Sequence, residues 1–481
     1  MIAKTKATAG VALLPEVLAY TSSLAHDLSL VREDLAGSLA HLAMLKAVAL
    51  VSSEDANAIG AELSAIAAEA KAGTLTLADE EDVHMAIEAR LTEKLGERAG
   101  CLHTARSRND QIALDLTLFV RETAKLVLGE LAVTLEALTA RAKADADVIL
   151  PAYTHRQRAM PITGGYLWAS YGVMLARDVE AFQFVLAQAD VLPLGVGAIA
   201  GTSLPIDREH VKASLAFTRV STNGMDTVGN RDFELDLAFA TARLMNHIGR
   251  IATDMIDFSS SELGFVKLGD AIACGSSMMP QKKNPDLFEL IRGKSARAAG
   301  NVVTMLALSA KMPSGYGRDL QEDRESTFEA KKTALGALTM LRLGLAHVTF
   351  DRSKCLAVVE NDYMQATDLA EAMVAVHHVP FRTAYRAVGA LVKVAQENQL
   401  PLAKVTLAQA QSIDPRLDAK VLEAADARTS AERKTSAGGT GPISVAAQLV
   451  TLQSVAARAR NVAEAIPSID TLLDRLISKM A

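Results

Sequence analysis

Aromatic residues are scarce in this chain of 481 residues, at 4% of the total with a single Trp. Sheets draw on aromatic and β-branched residues, so the shortage works against a sheet-based fold. Cysteine is rarer still. Cys101, Cys274 and Cys355 are odd in number and far apart, which excludes a disulfide framework and fits reduced thiols in a cytoplasmic protein. No uninterrupted apolar run reaches bilayer-spanning length, so no membrane partner is expected. The opening segment "MIAKTKATAGVALLPEVLAY" has two lysines and a short apolar run, but Pro15 and Glu16 break it, which argues against a secretory signal. There is no excess of positive charge either. Lys+Arg 50 against Asp+Glu 56 gives a net charge of −6, which removes nucleic acid as an expected partner. The ten histidines form neither an H-E-x-x-H motif nor a Cys/His cluster, so neither metal nor cofactor is expected.

What is present is apolar and helical. Hydrophobic residues make up 50% of the chain, and its length calls for two or three domains. From Asn109 to Asp147 the sequence reads as one long helix, with Leu128, Leu131, Leu135, Leu138 and Ala142 stepping by three and four. Pro151 is expected to end it. Further long helices are expected over roughly 164–190, 231–260, 285–311 and 321–347. Helices of this length and apolarity are expected to pack as a bundle, in which other subunits could supply some of the neighbours. The expected fold is therefore all-α in three domains: an N-terminal one over 1–106, a central bundle over 107–356 and a C-terminal one over 357–481. "GVGAIAG" lacks the spacing and the preceding strand of a dinucleotide fingerprint, so it reads as a tight loop.

Three polar loops interrupt the helices. In "GSSMMPQKKNPD" (Gly275 to Asp286), Asn284 is suited to cap the next helix and Pro285 to its first position, and Lys282 lies just outside. Gly275, Ser276 and Ser277 add mobility and hydroxyls that a mere cap does not need. In "HTARSRNDQ", Arg106 and Arg108 precede Asn109 at a helix start, a pattern that favours carboxylate or phosphate. In "AYTHRQRAMP", Thr154, His155 and Gln157 lie between two prolines that hold the segment extended. Together the loops offer cations, amide and hydroxyl donors, one imidazole and one mobile serine. That inventory suits a dicarboxylate that loses a Cβ proton next to a carboxylate, with fixed donors aimed at the developing charge.

At these loops the sequence resembles the signature regions of the aspartase/fumarase lyase superfamily. The resemblance is strongest to the argininosuccinate lyases, through "QKKNPD" and "YGRDLQEDRE", and it extends to "EDVHMAIE" and "GGTGP". It implies an all-α homotetramer whose active sites are shared between subunits and whose small-molecule substrate is cut to arginine and fumarate. It also implies roles. Ser276 and His155 would be the acid and base, Lys282 would support the Ser276 alkoxide, and Glu289 of another subunit would orient His155. Arg108, Asn109, Thr154 and Asn284 would hold the succinyl carboxylates together with Lys282, while Ser23, Tyr316, Gln321 and Arg324 would surround the arginine portion. The sequence departs from the family pattern at Arg324, where Lys is usual, and at Arg156 and Met160. Those departures keep two alternatives in view: a lyase that releases fumarate from a different N-substituted aspartate, and a non-catalytic crystallin-like homologue.

Overall fold

The computed structural model describes residues 14–480, so most of the opening segment lies outside the described residues. The expectation of an all-α protein holds over that span. Near the N-terminus, α1 (Val31–Ala47), α2 (Ser53–Ala72) and α3 (Val83–Leu95) close around Leu35, Leu39, Ile59, Leu63 and Ile87. Ser52 and Asp82 cap α2 and α3 by accepting the N–H groups of Asp55 and Met85, and Gly73 ends α2 in the left-handed conformation that glycine adopts without strain.

The longest helix is α4 (Arg108–Ala144), opened by a capping box between Ser107 and Asp110. It buries the predicted stripe of Leu128, Leu131, Leu135, Leu138 and Ala142. Pro151 does not end it. The helix stops before Asp145, and Pro151 lies inside β1 (Ile149–Thr154), which pairs antiparallel with β2 (Gln157–Thr163). Pro151 sits opposite Pro161, so two residues without N–H donors share one rung of the hairpin.

Next come α5 (Gly164–Gln188), α6 (Asp232–Ser259), a short ribbon of β3 (Cys274–Gly275) with β4 (Lys283–Asn284), then α7 (Asp286–Ser309) and α8 (Asp323–Ala346). Gly164 and Gly165 let α5 turn back tightly on α4, since a Cβ on either would meet the carbonyl oxygen of Asp145 or Ala142 within 2.8 Å. Cross-links fix the directions. Tyr171 donates to Asp254 at 2.8 Å and His247 lies 2.8 Å from Asp178, so α5 and α6 are antiparallel. Gly249 faces Ser295, and Arg292 lines one cavity with Thr253 and Asp254, so α7 is antiparallel to α6. Arg231 meets Asp323 at one end, and Arg141 donates to the carbonyls of Leu345 and Val348 at the other, so α4, α6 and α8 run together.

Beyond the bundle, the helices of residues 357–481 serve three cores. Helices α9 (Ala366–His377) and α10 (Phe381–Glu397) build a small core of their own with Leu369, Met373, Leu391 and Val421. By contrast, α11 (Pro442–Ala465) returns to the bundle, with Leu452 against Gly172, and α12 (Ile469–Met480) fills the N-terminal core through Leu472, Leu473 and Leu476. Amphipathic helices look alike in sequence whichever core they serve. No helix among the described residues is long and apolar enough to cross a membrane.

Candidate active site

At the start of α4, Asp110 does more than complete the cap. Its Oδ2 accepts the N–H groups of Gly195 at 2.9 Å and Gly197 at 2.8 Å, which pins "GVGAIAG" as a tight loop, and Asn109 Nδ2 donates to Ala198 O at 3.0 Å. Arg108 is buried, and its Nη1 donates to Asp82 Oδ1 at 2.6 Å. The guanidinium thus already holds a carboxylate of its own chain. Arg106, half-buried, donates to Ser38 Oγ at 2.9 Å. It lines the same small void as Asp34 and His84, whose Nδ1 lies 3.0 Å from Asp34 Oδ1. Asp115 joins them, so three cation-ligating groups lie within 4.8 Å of one another. With the Arg106 guanidinium beside them, their charge is compensated from within the chain.

A second cluster forms where the Thr21–Asp27 segment meets residues 316–324. Gln321 Nε2 donates to Thr21 O at 3.0 Å, and Arg318 donates to the same carbonyl at 2.8 Å and also to the Glu81 carboxylate. Ser23 is buried; its N–H donates to Glu81 O at 2.8 Å and its hydroxyl to Asp27 at 2.5 Å. Arg324, also buried, spans Asp27 and Asp323 with two bonds of 2.7 Å. Burial pushes the Tyr316 phenol above its usual pKa, with the Arg324 guanidinium pulling against it. Ser23, Tyr316, Gln321 and Arg324 therefore belong to one region, joined through Glu81 and Asp82 to Arg108. Sequence reasoning missed Asp27, Glu81, Asp82 and Arg318. A signal existed for Asp82, an N-cap residue type just ahead of a helical run.

His155 and Arg156 form the turn of the β1–β2 hairpin, with φ of 53° and 59°. Two consecutive positive φ values define the tight hairpin turn that normally selects Asn-Gly, so both residues are held in a sparsely populated conformation. Thr154 and His155 are exposed, and Arg156 forms an ion pair of 3.3 Å with Asp257 near the end of α6. The loop carrying Ser276 is closed at its neck by β3 and β4. Within it Ser276 Oγ accepts the N–H groups of Met278 at 3.2 Å and Met279 at 3.1 Å. Lys282 is exposed, while Lys283 pairs with Asp270. Asn284 does not cap α7. It is part of β4, Pro285 occupies the cap position without a side-chain bond, and the helix begins at Asp286. The carboxylate of Asp286 reaches back to Cys274 N at 3.2 Å, so the residues before α7 serve the ribbon instead of the cap. Glu289 is exposed on the first turn of α7.

A single chain keeps the Asn109 and Arg324 regions away from the His155 hairpin and the Ser276 loop. The 37 residues of α4 span about 54 Å, with Asn109 at the start and the His155 hairpin beyond the end. Along α6, Arg231 beside the Asp323–Arg324 cluster and Asp257 beside Arg156 are about 39 Å apart. Antiparallel packing puts the start of α7, and with it the Ser276 loop, at the Asp257 end.

Long antiparallel helices with polar loops at their ends define a class of all-α lyases, and the family described as "Lyase" matches residues 16–300. A second, described as "Argininosuccinate lyase C-terminal", matches residues 363–432. The argininosuccinate lyase of Campylobacter curvus is 40% identical over 90% of this chain and 94% of its own length. That of Symbiobacterium thermophilum is 40% identical over 91% and 95%. The chain belongs to the argininosuccinate lyase family. Solved structures share its fold at lower identity. An EDDS lyase in complex with formate superposes with a TM-score of 0.82 at 23% identity, covering 94% of this chain and 91% of that one. A class II fumarase from Schistosoma mansoni gives 0.73 at 17%, covering 88% and 98%.

Proposed function

We propose that the protein cleaves argininosuccinate to arginine and fumarate, the last step of arginine biosynthesis, at sites shared between the subunits of a cytoplasmic homotetramer. The observation that carries the chemistry is the pair of backbone N–H groups on Ser276 Oγ. Preorganised donors of this kind stabilise negative charge without reorganisation, so they favour Ser276 as an alkoxide base. Ser276 removes the Cβ proton next to a carboxylate, and the charge spreads onto that carboxylate as an aci-form. Lys282, exposed on the same loop, supplies the compensating cation. The electron pair then closes the Cα–Cβ double bond as the C–N bond breaks. The leaving nitrogen takes a proton from an acid on the opposite face, for which His155, oriented by Glu289 of another subunit, is the candidate. Thr154, Asn109, Asn284 and Arg108 hold the succinyl carboxylates. For Arg108 the substrate shares or displaces Asp82.

Sharing between subunits is supported by the lengths of α4 and α6, which separate Asn109 and Arg324 from His155. It is supported too by α7, which leaves Leu290 and Val303 66% and Leu306 50% exposed. The three unpaired cysteines fit a reducing compartment. A different N-substituted aspartate is the second reading, favoured by Arg324 at a position where the family usually has Lys. Ultraviolet detection of fumarate decides between them: purified protein should release it from argininosuccinate. Failure there, with release from another N-substituted aspartate, would move the assignment to the second reading.

A further inference from the structure

A two-stranded hairpin is marginal by itself, and strained turns persist only where their surroundings over-determine them. Both conditions apply to the β1–β2 hairpin, whose tip residues His155 and Arg156 carry positive φ. What holds it comes from the C-terminal part of the chain. At the base, the buried Thr163 ends β2 and caps α5, its hydroxyl accepting the Tyr166 N–H at 3.1 Å. The Thr163 N–H donates to Thr440 Oγ1 at 2.9 Å, and the Thr163 hydroxyl lies 3.4 Å from Thr440 O. Thr440, equally buried, is the threonine of "GGTGP". Ile149, opposite Thr163 in the register, packs with Val359, Met364, Ala427 and Ala431. Nearer the tip Arg158, cross-strand from Tyr153, donates to Asp362 Oδ2 at 2.9 Å.

Glycines aim Thr440. A Cβ on Gly439 or Gly441 would meet the carbonyl oxygen of Lys434 or Glu432 within 2.5 Å, so the loop closes this tightly only with glycine at both positions. The Gly441 N–H donates to Lys434 O at 2.9 Å. Lys434 pairs with Asp368 of α9 at 2.8 Å, and Ser430 donates to the other oxygen of that buried carboxylate at 2.6 Å. The loop is thereby fixed to α9 and, through Thr440, to the hairpin.

We infer that Thr440 is a positioning residue for the reaction: it holds the base of the hairpin and, with Asp362 nearer the tip, sets where His155 meets the substrate. This rests on the reading of His155 as the acid. Thr440 is the main hold, because Arg158 is 44% exposed and its pair with Asp362 is screened by solvent. A displacement of about 1 Å costs a proton-transferring group up to about a hundredfold in rate, while binding by the other loops is untouched.

The test compares Thr440→Val, which removes the hydroxyl at nearly constant volume, with Thr440→Ser, which keeps it, each as the assembled enzyme. Thr440→Val should lower kcat for argininosuccinate by roughly tenfold with KM within about twofold, and Thr440→Ser should stay within about twofold of wild type in both. Hydrogen exchange read by mass spectrometry should quicken over residues 149–163 in Thr440→Val and stay unchanged over α1. Adding Thr440→Val to His155→Asn should lower kcat no further, since both act through one group. Unchanged kcat in Thr440→Val, equal losses in Val and Ser, exchange quickened throughout the chain, or additive losses would each overturn the inference. If Thr440→Val fails to assemble, Asp362→Ala decides: it should lower kcat by roughly threefold at constant KM and quicken exchange over 149–163, and no change in either would overturn the inference. Should wild type release no fumarate, or His155→Asn turn over at the wild-type rate, the functional reading fails instead. Exchange over 149–163 then judges the hold on the hairpin alone, with unchanged protection in Thr440→Val overturning it.

Discussion

Both carboxylate oxygens of Glu33 are buried without a hydrogen-bond partner, and burial, opposed by Arg32 and Lys331, pushes its pKa from 4.5 to about 7. Between those values the folded chain keeps a proton that the unfolded chain releases. Stability therefore falls as pH rises through that window and levels off above it. Glu33→Gln should gain about 3 kcal/mol over wild type at pH 8 and almost nothing below pH 4.5, read from denaturant midpoints. An equal gain at both pH values would show that Glu33 does not titrate there. His41 acts in the opposite sense: burial lowers its pKa from 6.5 to about 3, so its contribution is lost as pH falls through that range. With Ser276 as the proposed base, Ser276→Ala should preserve assembly and substrate binding but lower kcat by on the order of a thousandfold. Near wild-type turnover would exclude Ser276 from proton transfer. Arg324→Lys keeps the charge but gives up one of two buried bonds. It should cost about 2–4 kcal/mol of stability and raise KM by roughly tenfold or less with kcat little changed. A large fall in kcat at constant KM would put Arg324 at the breaking bonds instead.

The β1–β2 hairpin carries the proposed acid His155, and little in the sequence foretells its turn. Its turn residues carry positive φ although neither is Gly or Asn, and the ion pair from Arg156 to Asp257 restrains the tip only weakly because the arginine side chain is 82% exposed. Arg156→Gly should leave stability unchanged or raise it by up to about 1 kcal/mol, since glycine adopts this backbone without strain. Arg156→Val should lower stability by about 1–2 kcal/mol and cut kcat, because a β-branched side chain opposes positive φ and displaces His155. Melting curves and kcat for the two variants check this. Equal effects from both would mean that the ion pair, not the turn, sets the geometry. The caps were easier to read. Ser107 and Asp110 announce α4 in the sequence, whereas the double use of Asp110 by Gly195 and Gly197 becomes visible only once the chain is folded.

On the scale of the whole molecule, the long helices hold Asn109 and His155 at opposite ends of one chain. If sites draw their loops from different subunits, mixing inactive His155→Asn chains with inactive Ser276→Ala chains should restore activity after dissociation and reassociation. If His155 and Ser276 come from different subunits, random mixing restores about a quarter of the sites. Subunit exchange demonstrated by mass without any recovered activity would show that His155 and Ser276 of a site come from the same chain.

Local patterns carried much of this in the sequence alone. Periodic leucines set the helices of the bundle, because burial of one face follows directly from spacing. The three polar loops stood out because they lack that periodicity, and they named Ser276, His155, Arg108 and Asn109. Only the tertiary structure decided what depends on distant partners. It sent α11 to the bundle and α12 to the N-terminal core, moved Asn284 from a cap into a ribbon, and gave Arg108 to Asp82 and Arg324 to Asp27 and Asp323. Helix periodicity is a property of neighbours three and four residues apart. An ion pair between Asp27 and Arg324 joins residues far apart in the chain, and nothing local in either segment specifies it.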